Sequence, residues 1–320
     1  MSEAVLSNPI FHDETAAREW LEARIWKNGR VCPHCGTVDQ STLMQGKTTR
    51  PGLYQCNSKE CRQPFTVTVG TLYERSKIPL HKWLAATHLL MAGKKGISAL
   101  EIGRMLGISK KSSWFLMHRI RESLPPKMLE PMGGEGKTVE GDATYIGGRE
   151  KNKHAIKRTS AVGGAGKEIV YSLVERKGQV RSQHVPSVSA ATLRPILTSQ
   201  LDAATSLMTD DAGENRNLHK VFPKHQKVNH SIGEYVRGDA HTNTIEGYFS
   251  ILKRGIVGTY HHVSQQHLKR YLAEFDYRYN EREALGMSDA DRMEKSVQGI
   301  VGRRLTYRRT RGEQRNSDQT

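Results

Sequence analysis

All four cysteines of this 320-residue chain lie between positions 32 and 61, as Cys32-Pro33-His34-Cys35 and Cys56-x4-Cys61, with twenty residues between the pairs. Two such pairs on two turns can converge on one tetrahedral metal ion, and the flanking stretches "GLYQC" and "PFTVTVG" supply short strands to hold the second turn. A redox role for Cys-x-x-Cys needs a thioredoxin-like βαβ setting that is absent here, and structural disulfides need a secreted chain. Residues 11–72 are therefore expected to form a helix and a zinc ribbon, with Cys32, Cys35, Cys56 and Cys61 as ligands. Four thiolates complete the site, which leaves His34 as a loop residue. The helix is the run "DETAAREWLEARIW", which places Ala17, Trp20, Leu21 and Ile25 on one side.

From residue 78 to 124 the pattern is helical. Pro79 can open a helix carrying Trp83, Leu84, Thr87, Leu90 and Met91, which "GKKG" ends. Ser98 with Glu101 marks the start of a second helix containing Ile102, Met105 and Leu106. A tight turn at Gly107-Ile108 follows, and Ser109 caps a third helix, "KKSSWFLMHRIRESL". A short helix, a glycine turn and a longer helix with Lys110, Lys111 and Ser112 at its start resemble a helix-turn-helix, whose second helix would enter the major groove of DNA. The net charge of +16, from 49 basic and 33 acidic residues, favours a polyanionic partner, most commonly nucleic acid. No apolar run approaches 18 residues and no charged-then-apolar leader opens the chain, so neither a membrane span nor a secretory signal is expected, and the setting is cytoplasmic.

"PPKMLEPMGGEGK", 125–137, has the composition of a linker. Beyond it, a mixed α/β domain is expected over 138–285. "TVEGDATYI" alternates, so that Glu140, Asp142 and Thr144 share one face of a strand and Val139, Gly141 and Ala143 the other. Further strands lie between Lys157 and Pro186, "SAATLRPILTSQL" is a helix that Pro195 would shorten or kink, and "TSLMTDD" is a strand ending in two acids. The run "SQQHLKRYLAEFDYRYNERE" is a closing helix. Residues 286–320 are expected to form a basic and largely disordered tail, since the last nineteen residues hold six arginines without an apolar pattern.

One acid has two readings. In "HTNTIEGYFSILKRG" the residues Ile245, Tyr248, Phe249 and Leu252 make a helical apolar stripe that Gly255 can stop. Asn243 can cap this helix while Glu246 reaches back to its amide, a variant of the capping box. Alternatively, Glu246 joins two other acids. Asp is depleted in strands, yet Asp142 lies inside one strand and Asp210 closes another. A carboxylate on a central strand, one at the end of a neighbouring strand and one on a following helix can meet at one point and hold two hard divalent cations for a phosphodiester displacement.

The segments "VEGDATYIGGREKNKH" and "MTDDAGENRNL", the block from "VNHSIGEYVRGDAHTNTIEG" to "YRYNERE", and the earlier "CPHCG" and "FTVTVGT" resemble the ISXO-like insertion-sequence transposases, relatives of the eukaryotic Merlin transposases. The resemblance runs from about Phe11 to Glu283. It implies a ribonuclease-H-like core with an Asp-Asp-Glu triad that uses Mg2+ or Mn2+ to cut and rejoin DNA. Carried over by motif, the triad is Asp142, Asp210 and Glu246, with Asp211 as the alternative to Asp210 because the doublet leaves the alignment open by one. Ala143 stands where many members have Glu. Lys253 matches the family lysine seven residues after the last acid and would face DNA with Arg254. His241 and Asn243 also match the family block. The implied partners are transposon ends and target DNA, with a homodimer in the synaptic complex and no small-molecule substrate. A catalytically inactive DNA-binding regulator and a nuclease of the same fold stay open beside the transposase.

Overall fold

Asp13 accepts the amide of Ala16 at 2.7 Å and so starts α1 (Glu14–Ile25), where a short side-chain acceptor satisfies a donor the helix cannot. The structure is a computed structural model that describes residues 4–126, 128–148, 154, 156, 166–215, 217–228 and 236–306. The chain divides into two compact units.

The first unit comprises Met1–Leu90, Ala99–Ser123 and Met293–Thr320. Its ribbon is a three-stranded antiparallel sheet of β1 (Ser41–Leu43), β2 (Tyr54–Cys56) and β3 (Pro64–Phe65). Trp26, from the end of α1, packs edge-on against Tyr54 and Phe65. The helix α2 (Leu80–Ala92) is not opened by Pro79 alone. Glu14 of α1 accepts the amides of Leu80 and His81 at 2.9 and 3.2 Å, placing a carboxylate at a positive helix end. α3 (Ala99–Leu106) and α4 (Lys110–Ser123) follow, joined by a turn in which Gly107 takes a left-handed φ of +60°.

The C-terminal expectation needs correction. Within 286–320, which composition marks as a disordered tail, Asp289–Gln298 forms a helix, α8. Met293, Val297 and Ile300 are buried, Arg24 of α1 pairs with Glu294 at 3.2 Å, and the Leu72 amide donates to the Ile300 carbonyl. Three apolar residues among many charges make too thin a stripe to announce a helix, because its partners lie more than two hundred positions away. Residues 307–320, the remainder of the expected tail, lie outside the described residues.

The second unit, Met91–Ser98 with Leu124–Arg292, is built on a five-stranded mixed sheet of order β6-β5-β4-β7-β8. These strands are β4 (Thr138–Ile146), β5 (Glu168–Glu175), β6 (Val180–Val185), β7 (Ser206–Asp210) and β8 (Gln226–Val228). β4, β5 and β6 run antiparallel, whereas β7 lies parallel to β4, and β8 parallel to β7. Alternation along β5 sends Val170 and Val174 to one face and Tyr171 and Leu173 to the other. Val170 and Val174 join Ile146, Ile245, Tyr248, Leu252, Leu268 and Phe275 in a core under α6 (Asn243–Gly255) and α7 (Gln265–Asn280). Tyr171 and Leu173 join Val139, Leu207, Leu193 and Leu197 under α5 (Ala190–Gln200), which continues through Pro195. A two-stranded ribbon, β9 (Val236–Arg237) and β10 (Ala240–His241), leads into α6.

Two local expectations are revised. The linker 125–137 is tied into this unit from Glu130 onward. Arg181 donates to the Glu130 carbonyl, Met132 exchanges bonds with Gln200 and Asp202 at 2.7 and 2.9 Å, and the Gly134 amide donates to Thr205. Lys127 lies outside the described residues. Gly255 does not stop α6 either, since the chain continues as one π-helical stretch, Ile256–Tyr260. A Cβ on Gly255 would lie 2.3 Å from Phe275 Cζ and 2.9 Å from the Lys95 carbonyl oxygen, so glycine is required by close packing. Gly255→Ala is expected to lower stability by about 1–3 kcal/mol through overpacking, measured by denaturant melts; an unchanged midpoint would refute this packing argument.

Candidate functional site

The thiolates form the tighter of two clusters. The ligand atoms of Cys32, Cys35, Cys56 and Cys61 all lie within 4.8 Å of one another. Cys32 and Cys61 Sγ are 3.8 Å apart, and Cys35 and Cys56 Sγ are 3.7 Å apart. A Zn–S length of about 2.3 Å puts the corners of a regular tetrahedron about 3.8 Å apart, so these spacings fit a structural zinc ion. They are far beyond a disulfide of about 2.05 Å. The hydroxyl and amide of Thr37 lower the Cys35 thiol to about 6, whereas burial raises the Cys32 thiol. Against the Gln63 backbone, burial with the neighbouring thiols raises that of Cys61 to about 12, so the fit to zinc rests on the sulfur spacings.

The carboxylates are brought together by the parallel pairing of β4 and β7. Glu140 sits opposite Met208, and the same register carried two residues further places Asp142 level with Asp210. Both then point to the face covered by α6, whose first turn carries Glu246. Burial, together with the negative charges of Asp210 and Glu246, pushes the Asp142 carboxyl up to about 7, against the pull of the Ala143 amide and of Lys253. Asp210, Glu246 and Lys253 thus lie near enough to Asp142 to act on its charge. The acids are spread more widely than the thiolates, which among the described residues form the one set of possible ligands within 4.8 Å of each other.

The doublet divides by environment. Asp210 is half-buried, and its Oδ1 accepts from Asn215 Nδ2 at 2.7 Å. Asp211 is exposed and pairs with Lys227 at 3.0 Å. Glu246 is exposed and accepts from the Thr242 hydroxyl at 3.3 Å. The Asn243–Glu246 capping box does not form, because α6 begins one residue earlier than that motif requires: Asn243 is already helical, Thr242 occupies the cap position, and no side-chain cap bond comes from it. Lys253 and Arg254 are exposed in the last turn of α6, and Arg254 Nε donates to the Ser250 carbonyl.

At the start of α4, Lys110 and Lys111 are exposed and Ser112 is half-buried; the Ser112 amide donates to Ser109 Oγ at 3.2 Å. A Cβ on Gly103 would lie 3.1 Å from both the Ile108 carbonyl oxygen and Ser113 Oγ, so α3 and α4 approach closely at their turn. Among the described residues no helix is long and apolar enough to cross a membrane.

Residues 133–280 match the ISXO2-like transposase domain, and residues 12–63 match the transposase zinc-ribbon domain. The chain thus carries an ISXO2-like transposase domain preceded by a transposase zinc-ribbon domain. A relative from Halobacterium salinarum, described as an uncharacterized protein in transposable element ISH50, is 28% identical over 282 residues, which cover 84% of this chain and 91% of the relative.

Within this ISXO2-like domain, sequence reasoning passes over Glu140. It is fully buried and accepts from Arg176 Nε at 2.7 Å, Thr244 Oγ1 at 2.8 Å and the Ile245 amide at 2.9 Å. The alternation that singles out Asp142 also puts Glu140 on the same face, and that shared face is the available signal. Asn215, which holds Asp210, gives none, since its role depends on how the chain turns after β7.

Proposed function

We propose that this chain is a DNA transposase that binds the terminal inverted repeats of an insertion sequence and cuts and rejoins strands at Asp142, Asp210 and Glu246. The observation that carries the reading is the place of Asp142 in the fold: it lies on the face of β4 that α6 covers, two residues beyond the pairing of Glu140 with Met208, toward the strand end that carries Asp210 and under the helix that carries Glu246, in a domain of transposase family. A sheet with antiparallel strands on one side, parallel strands on the other and helices on both faces supports a ribonuclease-H-like core.

Acids that oppose one another's ionisation suit a hard divalent cation, whose charge reverses the penalty. Mg2+ or Mn2+ held by Asp142, Asp210 and Glu246 would stabilise the attacking and leaving oxygens of a phosphodiester. The protein's own groups orient the reactants. Asn215 fixes Asp210, and the Ala143 amide holds Asp142 Oδ1 at 2.6 Å. Lys253, two turns beyond Glu246 and about 10 Å along the helix, meets a backbone phosphate, with Arg254 beside it. Lys110, Lys111 and Ser112 at the start of α4 read DNA in the manner of a helix-turn-helix, and the zinc ribbon adds to the grip on the ends. The active assembly is a synaptic homodimer working on DNA in the bacterial cytoplasm, at the nucleoid.

The test is a substrate comparison in Mg2+, with duplexes taken from the DNA flanking the coding sequence. The expected result is nicking at the element end that frees a 3′-hydroxyl, followed by joining to a target duplex, while Asp142→Asn binds the same duplex without cutting. End-specific binding with no cleavage by the wild type would make the protein a regulator. Preferential cutting of RNA–DNA hybrids, indifferent to the ends, would make it a nuclease.

A further inference from the structure

We infer that Glu140 is a positioning residue whose buried carboxylate fastens the first turn of α6 to β4 and thereby sets the distance between Glu246 and Asp142. This rests on the proposed role of those two acids. Glu140 has no exposed surface. Its Oε1 accepts from Arg176 Nε and Thr244 Oγ1, and its Oε2 from the Ile245 amide. His241 Nδ1 lies 3.3 Å from the same Oε1, and Arg176 Nη2 donates to the His241 carbonyl at 3.0 Å. Residues 241, 244 and 245 are thus all held by one ion pair, of the buried Glu140 and the half-buried Arg176.

A carboxylate taken out of water costs several kcal/mol unless it is paired and fully hydrogen-bonded, and here both conditions are met at a helix N-terminus, where the backbone amides favour negative charge. The linkage to the site is short. Glu140 is two residues before Asp142 on the same face of a paired strand, and Ile245 immediately precedes Glu246. A displacement of this helical turn moves Glu246 relative to Asp142 directly. Sites that bind metals tolerate about 0.5 Å of such displacement, so the Glu140 clamp governs metal binding without touching the metal. A role confined to the fold would instead cost stability and leave the affinity of the assembled site intact.

The experiment measures Mn2+ binding to the full-length, zinc-loaded protein by electron paramagnetic resonance, alongside thermal melts. Wild type is expected to bind Mn2+ and Asp142→Asn to lose that binding. Glu140→Gln, measured below its melting temperature, is expected to bind Mn2+ roughly ten- to a hundredfold more weakly, the effect typical of groups that orient metal ligands. Thr244→Val, which removes one of the bonds to Glu140, should weaken binding by a smaller factor. A folded Glu140→Gln protein with wild-type Mn2+ affinity would overturn the proposal, as would unchanged affinity in Thr244→Val if Glu140→Gln does not fold. A wild type that binds no Mn2+, or binding that survives Asp142→Asn, would instead remove the underlying reading of the acids and this inference with it.

Discussion

Glu246→Gln is expected to leave a folded protein that still binds element ends, while strand cleavage and strand transfer in Mg2+ fall roughly a thousandfold or more. The fold is spared because Glu246 is not what starts α6. Glu140 takes the Ile245 amide, so the helix keeps its anchor. Glutamine also retains an oxygen for the Thr242 hydroxyl, which is the contact Glu246 makes at 3.3 Å. Catalysis is not spared, because the lost charge is one that a divalent ligand set requires. Charge stabilisation worth several kcal/mol at a phosphoryl-transfer site corresponds to about three orders of magnitude in rate. Cleavage assays paired with circular dichroism melts decide the point. Near-normal cleavage by a well-folded Glu246→Gln protein would take Glu246 out of the site, and Asp211, exposed and paired with Lys227, would be the next acid to substitute.

The capping question shows where sequence reasoning reaches its limit. Hydrophobic spacing locates α6, and alternation locates β4 with Asp142 inside it, because both patterns are local and each residue's face follows from its own position. What satisfies the first turn of α6 is not local. The acceptor is Glu140, 105 positions from Ile245, and nothing near residue 243 announces it. The same applies to α2, whose first amides are met by Glu14 from 66 and 67 positions away. Capping motifs read along the chain therefore point to the nearest side chain with suitable chemistry, Asn243 with Glu246, and overlook distant carboxylates. The choice between Asp210 and Asp211 is obscured for a related reason. Adjacent residues at a strand end point opposite ways, and only the parallel register with β4 tells which of them faces Asp142. α8 escapes sequence reading because its apolar residues gain a partner surface only after the chain has folded back on residues 24 and 72.

Removing the zinc is expected to have the largest effect on the first unit. Each purified chain should carry one zinc ion, and Cys56→Ser should lose it together with the folded ribbon, while the five-stranded sheet retains its hydrogen-exchange protection. The ribbon's strands are two and three residues long, too short to hold without other support. Its core is small: Cys32, Tyr54, Cys56 and Phe65 are the buried members, with Trp26, Cys61 and Val69 packed against them. Two of the four buried residues are themselves ligands, so the metal and the core are one structure. Structural zinc contributes an apparent 10–16 kcal/mol or so in small domains, far more than this apolar cluster can supply. Trp26 stacks edge-on against Tyr54 and Phe65, so its near-ultraviolet dichroism should collapse on chelation and return when zinc is restored. Element-end binding should follow the same course if the ribbon grips DNA. A zinc-free protein whose ribbon amides stay protected, or a native disulfide between Cys32 and Cys35, would show that the four thiols hold no structural ion.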